Sequence, residues 1–138
     1  MPEAQAARNC HATMMGLLPA VVEQDFATFS QAIAEVQAIV GDYFAHVQTA
    51  GRYTSPRVRR AVEHVQRVCG VTGVGQSSWG PPAFVFADSQ IVAEALVKEL
   101  ESRFGDEAGL AFMISAARNC GATITHSDQA LQPRIALA

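Results

Sequence analysis

The sequence predicts an α+β fold, a small sheet covered by about four helices. Three observations predict it. Long stretches place apolar residues at steps of three and four, the spacing of one helix face. Two short apolar runs, VTGVG and AFVFA, bracket a polar loop and read as paired strands. A further apolar run, LAFMISAA, follows another helical stretch and reads as a third, buried strand. The order is helix, helix, helix, strand, loop, strand, helix, strand.

Each element has its own signal. Residues 1–10 are small and polar and are expected as a frayed lead-in. HATMMGLLPAVVEQ is expected to be helical, with Met14, Leu17, Leu18 and Val21 on one face and a kink or restart at Pro19. Asp25 is placed as an N-cap for a long helix carrying Phe29, Ile33, Val36, Val40, Phe44 and Val47. That stripe fits either a core helix or the seam of a dimer. TAGRYTSP breaks the pattern, and Ser55-Pro56 opens a third helix with Val58, Ala61, Val62, Val65 and Cys69 on one side and Gly70 as its stop. Asp88 or Ser89 caps a fourth, where Ala93, Leu96, Val97, Leu100 and Phe104 face inward. GDEAG is a turn. Three strands are few for this many helices, so a fourth is expected from a partner, a missing segment or GATITHS near the C-terminus. One domain is expected over residues 11–125, with a loose tail at 126–138.

Composition narrows the function. The 138 residues suit one domain with a real core. Charged residues make up only 17%, below the usual quarter, which suggests that some surface is covered by a partner. A net charge of −3 gives no bulk attraction to a nucleic-acid backbone. Arg52, Arg57, Arg59 and Arg60 form one local basic cluster, read as a solvated helix start or an anion-facing patch. The three cysteines lie far apart with no metal-ligand spacing, which suits reduced thiols in a cytoplasmic protein. No apolar run has the length of a membrane span and no signal pattern opens the chain. The octapeptides AARNCHAT (6–13) and AARNCGAT (116–123) echo each other, but the likeness stops there, so no repeat architecture follows.

The loop GVGQSSWGPP is the richest segment. It is too long and polar for a tight hairpin. Its glycines permit positive φ and close approach. Gln76 both donates and accepts, Ser77 and Ser78 offer hydroxyls and successive N–H groups that could form an anion nest, and Trp79 could stack on a ring or plug the core. Pro81 and Pro82 stiffen the exit. A satisfied structural turn and a ligand loop both fit these residues.

A resemblance adds to this. GVGQSSWGP resembles the signature of β-ribofuranosylaminobenzene 5′-phosphate synthase, a branch of the GHMP kinase superfamily. LLPAVVEQDFATFSQAI is similar to that family's Leu-Leu-Pro helix, acidic break and Phe-rich helix, and AARNCGA to its closing Arg-Asn segment. The resemblance implies a ferredoxin-like two-layer sandwich of the GHMP C-terminal type. It implies transfer of a phosphoribosyl group from 5-phosphoribosyl pyrophosphate to 4-aminobenzoate or 4-hydroxybenzoate, with loss of CO2 and pyrophosphate, at the start of methanopterin biosynthesis. Mg2+ is the implied cofactor, with ligands expected outside this chain. The implied substrate contacts are Gly75, Gln76, Ser77, Ser78, Trp79, Gly80 and Pro81, in a cleft between two domains. Arg52 and Arg118 are candidate phosphate or carboxylate clamps, and Asn119 a candidate hydroxyl partner; a surface arginine or a plain turn residue fits each equally. No Gly-Ser-rich phosphate loop precedes these segments, so the chain is expected to be the C-terminal part of such an enzyme, inactive alone. The alternative is a small-molecule binding or dimerising module derived from it. A homodimer is expected, with partners limited to the sugar phosphate and aromatic acid of the full enzyme.

Overall fold

The computed structural model describes residues 1–117 and 119–122. Its elements run α1 (Glu3–His11), a π-helical turn (Ala12–Leu17), α2 (Leu18–Glu23), α3 (Phe26–Phe44) with a short 3-10 turn (Ala45–Val47), α4 (Pro56–Cys69), β1 (Val74–Gln76), β2 (Ala83–Val85) and α5 (Gln90–Phe104). The α+β class holds, with a two-stranded antiparallel sheet in the register Val74–Val85, Gly75–Phe84, Gln76–Ala83.

The stretch expected to be a frayed lead-in is α1. It continues through the π turn into α2, and Arg8 pairs with Glu35 of α3 at 3.0 Å, tying the N-terminus down. The wide turn has a cause in the sequence. Pro19 lacks the N–H owed to the carbonyl of Met15, and its ring crowds that carbonyl, so the helix opens ahead of it instead of breaking.

The caps fall where the side chains put them. Asp25 accepts from the Thr28 N–H at 3.0 Å and from its hydroxyl at 2.6 Å. Ser55 caps α4 with Pro56 in its first turn, and Gly70 ends it at φ 69°. Ser89, not Asp88, caps α5.

The sheet joins the helices through its two faces. Along β1, Gly73 and Gly75 bring α3 close: Ser30 and Gln37 occupy the space where their side chains would be. Phe29 of α3 meets Phe86 edge-on at 5.0 Å. This packing puts Ser30, Ala32 and Ile39 deepest on α3, while Val47, expected inside, is 60% exposed. The α3 stripe is used against β1 and the π turn within the chain. On the opposite face Ala61 and Val65 of α4 pack with Leu96 and Leu100 of α5, and Val85, Ala87 and Phe112 close the cluster. Val65 is fully buried.

The third strand is corrected. Residues 110–117 form neither strand nor helix, and Met113 is 87% exposed. Phe112 reaches the core, but beyond the Leu110 N–H, which donates to the Glu107 carbonyl, the segment joins no backbone ladder among the described residues. The strand expected at GATITHS lies mostly, and the tail at 126–138 wholly, outside the described residues. Among the described residues no helix is long and apolar enough to cross a membrane.

Candidate functional site

The polar loop is the connection between β1 and β2. The Gly80 N–H donates to the Ser77 carbonyl at 2.9 Å and the Ser77 N–H to the Pro82 carbonyl at 2.9 Å, so the loop is a closed turn on the end of the hairpin. Ser78 and Gly80 sit at φ 52° and 72°, and the Gly80–Pro81 peptide is cis.

Gln76 anchors this turn. It is 8% exposed, and both polar atoms of its side chain are bonded inside the protein. Its Oε1 accepts from the Thr54 N–H at 2.7 Å and the Thr54 hydroxyl at 3.2 Å. Its Nε2 donates to Gln48 Oε1 at 3.3 Å and to the Ser78 carbonyl at 3.2 Å. Its backbone N–H, on the outer edge of the sheet, donates to Gln37 Oε1 at 3.1 Å. An edge strand otherwise leaves such groups open to pairing; here a side chain from α3 closes one.

The glycines serve the same network. A Cβ on Gly75 would stand 2.5 Å from the Gln37 amide, and one on Gly80 would run into the Thr54 hydroxyl and the Gln76 amide. Gly75, Gln76 and Gly80 are therefore accounted for by internal packing. What reaches solvent is the tip: Ser77, Ser78, Trp79 and Pro81. Trp79 is 61% exposed and rests edge-on against Phe44, ring centroids 4.9 Å apart. It is neither a core plug nor a loose side chain: one side is packed and the rest is open.

The arginines are spoken for. Arg52 grips Asp42 with both arms of its guanidinium, at 2.6 and 2.8 Å. That hydrogen bond raises the Arg52 pKa and holds the Asp42 carboxyl below the usual range. Arg59 pairs with Glu63 at 3.4 Å, and Arg57 and Arg60 both reach Glu107. Each arginine of the basic cluster thus has a carboxylate, which favours the solvated reading over an open anion-facing patch. Asn119 is exposed, with no hydrogen bond to the loop among the described residues, and Arg118 lies outside them.

Beside the loop, a cleft of about 360 Å3 opens between α3 and α4 over the edge of β1. Gln37, Tyr53, Arg59, Glu63 and Gln66 line it along with Gly75 and Gln76. Burial pushes the Tyr53 phenol up, with Arg52 opposing and Glu63 adding to the shift. Sequence reasoning did not single out Gln37, Gln48 or Thr54. The one signal for Gln37 was an amide four residues after Ile33, on the flank of the apolar stripe. Among the described residues no group of three or more His, Cys, Asp or Glu could hold a metal ion. Mg2+ prefers several oxygen ligands including carboxylates, and the loop offers hydroxyls and carbonyls but no carboxylate, so these residues do not fit it as resident ligands.

Neither the search of curated proteins nor that of solved structures gives a match. The family model for the C-terminal domain of GHMP kinases matches residues 17–107, from the end of the π turn to the turn after α5. That span carries α2 to α5, both strands and the whole polar loop, and the chain therefore belongs to the GHMP kinase C-terminal domain family.

Proposed function

We propose that this domain is the C-terminal part of an enzyme of the β-ribofuranosylaminobenzene 5′-phosphate synthase kind, and that the hairpin tip is its contribution to the substrates. One observation carries the reading: an exposed ring and two exposed serines, Trp79, Ser77 and Ser78, are held on a turn whose anchor, Gln76, is buried with its side-chain amide bonded at both ends. A site works when its contacting groups are fixed by supporting ones. In this reading Trp79 stacks on the aromatic acid, using the area left free by Phe44. Ser77 and Ser78 bond the sugar phosphate. The acceptor's ring carbon forms the new bond to C1 of the ribose as pyrophosphate departs from C1 and CO2 from the ring. The chain's part is to hold the ring face-on to the developing cation, which lowers the barrier by orientation. Arg52, bonded to Asp42, orders the neighbouring turn and is not a free clamp.

The test uses the chain's one tryptophan as its own reporter. Titration with 4-aminobenzoate, with and without 5-phosphoribosyl pyrophosphate and Mg2+, should change Trp79 fluorescence, and calorimetry should give a matching affinity. Ser77→Ala/Ser78→Ala should weaken the sugar-phosphate affinity and spare that of the ring, while Trp79→Ala should weaken ring binding in the calorimeter. Absence of binding at millimolar ligand, or binding indifferent to all three substitutions, would remove the tip from the site.

A further inference from the structure

The cleft between α3 and α4 has small residues on one wall and polar ones on the other. α3 presents Ala34 and Ala38 to it, and the buried Ala50 adds a third methyl. From α4 come Arg59, Glu63 and Gln66, at steps of four and three along one helix face. The volume of about 360 Å3 suits a small metabolite, since ligand sites run from roughly 300 to 1,000 Å3. The tip residues Ser77, Ser78 and Trp79 are not in its lining.

The polar groups around the cleft differ in how firmly they are held. Arg52 is committed to Asp42 through two short bonds. Arg59 is not: its Nε stands 3.4 Å from one Glu63 oxygen, and both side chains are about half exposed. A pair of that kind contributes little to the fold and is readily exchanged. Tyr53 pairs its backbone with Ala50, but its phenol makes no hydrogen bond among the described residues, and neither does the Gln66 amide. Burial, with the Glu63 charge adding to it, keeps the proton on Tyr53, so the phenol is an unused O–H donor within reach of the Glu63 field.

We propose that this cleft binds a small free α-amino acid, with its carboxylate on Arg59 and its ammonium on Glu63. The occupant is deduced from the charge pair. A simple anion drawn to Arg59 meets the repulsion of Glu63, and a simple cation drawn to Glu63 meets that of Arg59. A ligand carrying both signs replaces one weak contact with two charge-assisted bonds. Arg59 and Glu63 stand 3.4 Å apart, so the ligand's own charges must lie about as close, as they do across a single α-carbon. The Tyr53 phenol then donates to the carboxylate, and the Gln66 amide oxygen, on the same face as Glu63, accepts from the ammonium. Ala34, Ala38 and Ala50 offer methyl groups to a short apolar side chain. The proposal does not depend on the role given to Trp79.

The test is heteronuclear magnetic resonance of the full chain titrated with L-valine as probe. The amides of Ala38, Ala50 and Gln66 should shift saturably at millimolar probe. Isovalerate lacks the ammonium and isobutylamine the carboxylate, and each should bind about tenfold or more weakly, as expected when one charge-assisted bond is lost. Arg59→Gln and Glu63→Gln should each weaken valine by a similar factor. Both positions are half exposed, and unchanged resonances of Val65 and Leu96 in the α4–α5 core show that the variants fold. Ala38→Leu fills the cleft while leaving the charges in place, and should abolish binding. Absence of a saturable shift at millimolar valine would overturn the proposal. So would equal binding of all three compounds, which would make the cleft an apolar slot. Loss of binding in Trp79→Ala with Arg59→Gln silent would overturn it too, by placing valine at the hairpin tip.

Discussion

Replacing Gln76 by Ala tests the account of the loop at its anchor. The substitution removes four side-chain hydrogen bonds from a residue that is 8% exposed, one short at 2.7 Å and three between 3.2 and 3.3 Å. A net contribution of about 1 kcal/mol for the short bond, and about half that for each long one, comes to about 2.5 kcal/mol. The Thr54 N–H and the Gln48 amide lose their partners, but the space left by the side chain lets water reach them, which limits the further penalty. A loss of about 3 kcal/mol is expected, and with about 2 cal/mol/K per residue over 138 residues the melting temperature should fall by about 10 °C. Urea unfolding followed by circular dichroism gives the free energy, and near-ultraviolet dichroism of Trp79 reports whether the tip stays ordered. The aim is a loss of both: stability falls and the Trp79 signal flattens. A loss below about 0.5 kcal/mol, in the range of ordinary surface substitutions, with the Trp79 signal intact would refute the reasoning. The tip would then be held by something other than Gln76.

Three further outcomes follow from the same contacts. Gly75→Ala puts a methyl 2.5 Å from the Gln37 amide and should cost about 1–3 kcal/mol in urea unfolding, and Gln37→Ala made in the same chain should recover part of it by clearing the space. Trp79→Ala removes a half-open ring with one aromatic neighbour, so stability should change by no more than about 1.5 kcal/mol while ring-acid binding is lost; equal loss of both would make the ring structural. In acid the carboxyls of Asp25, lowered chiefly by its hydrogen bond to the Thr28 hydroxyl, and Asp42, lowered by Arg52, act together. A carboxyl with a lowered folded-state pKa contributes stability above its unfolded value of about 3.9, and that contribution fades as pH falls through the lowered value. Stability should therefore drop with acid below about pH 4, and Asp25→Asn/Asp42→Asn should flatten that drop; an unchanged slope would contradict both contacts.

The helices from α2 onward were readable because their signals are local. Asp25, Ser55-Pro56 and Ser89 act on N–H groups three residues away, and Gly70 on its own φ, so each cap works whatever surrounds it. The β1–β2 pair was readable for the same reason, two apolar runs joined by a turn. The resemblance to the GHMP kinase superfamily was also legible, since the loop and the Leu-Leu-Pro helix lie in one continuous span, 17–107.

Other features depended on partners far along the chain. AARNC forms part of α1 at residues 6–10, while Ala116, Ala117 and Asn119 in its second copy are in no helix. The first copy lies against α3, with Arg8 on Glu35. The apolar run at 110–117 reads as a strand, but a strand needs a neighbour's backbone and none is beside it among the described residues. The loop is the clearest instance. Its residue types suit a ligand site and a latch equally, because amides and hydroxyls serve both. Whether Gln76 faces a substrate or the protein was decided by Gln37, Gln48 and Thr54, which stand 39, 28 and 22 residues away. Sequence alone thus determined the capped helices, the hairpin and the superfamily, where each cause lies within a few residues. The tertiary structure decided which polar groups are spent within the fold and which are left at the tip, because hydrogen-bond satisfaction depends on what the rest of the chain brings into reach.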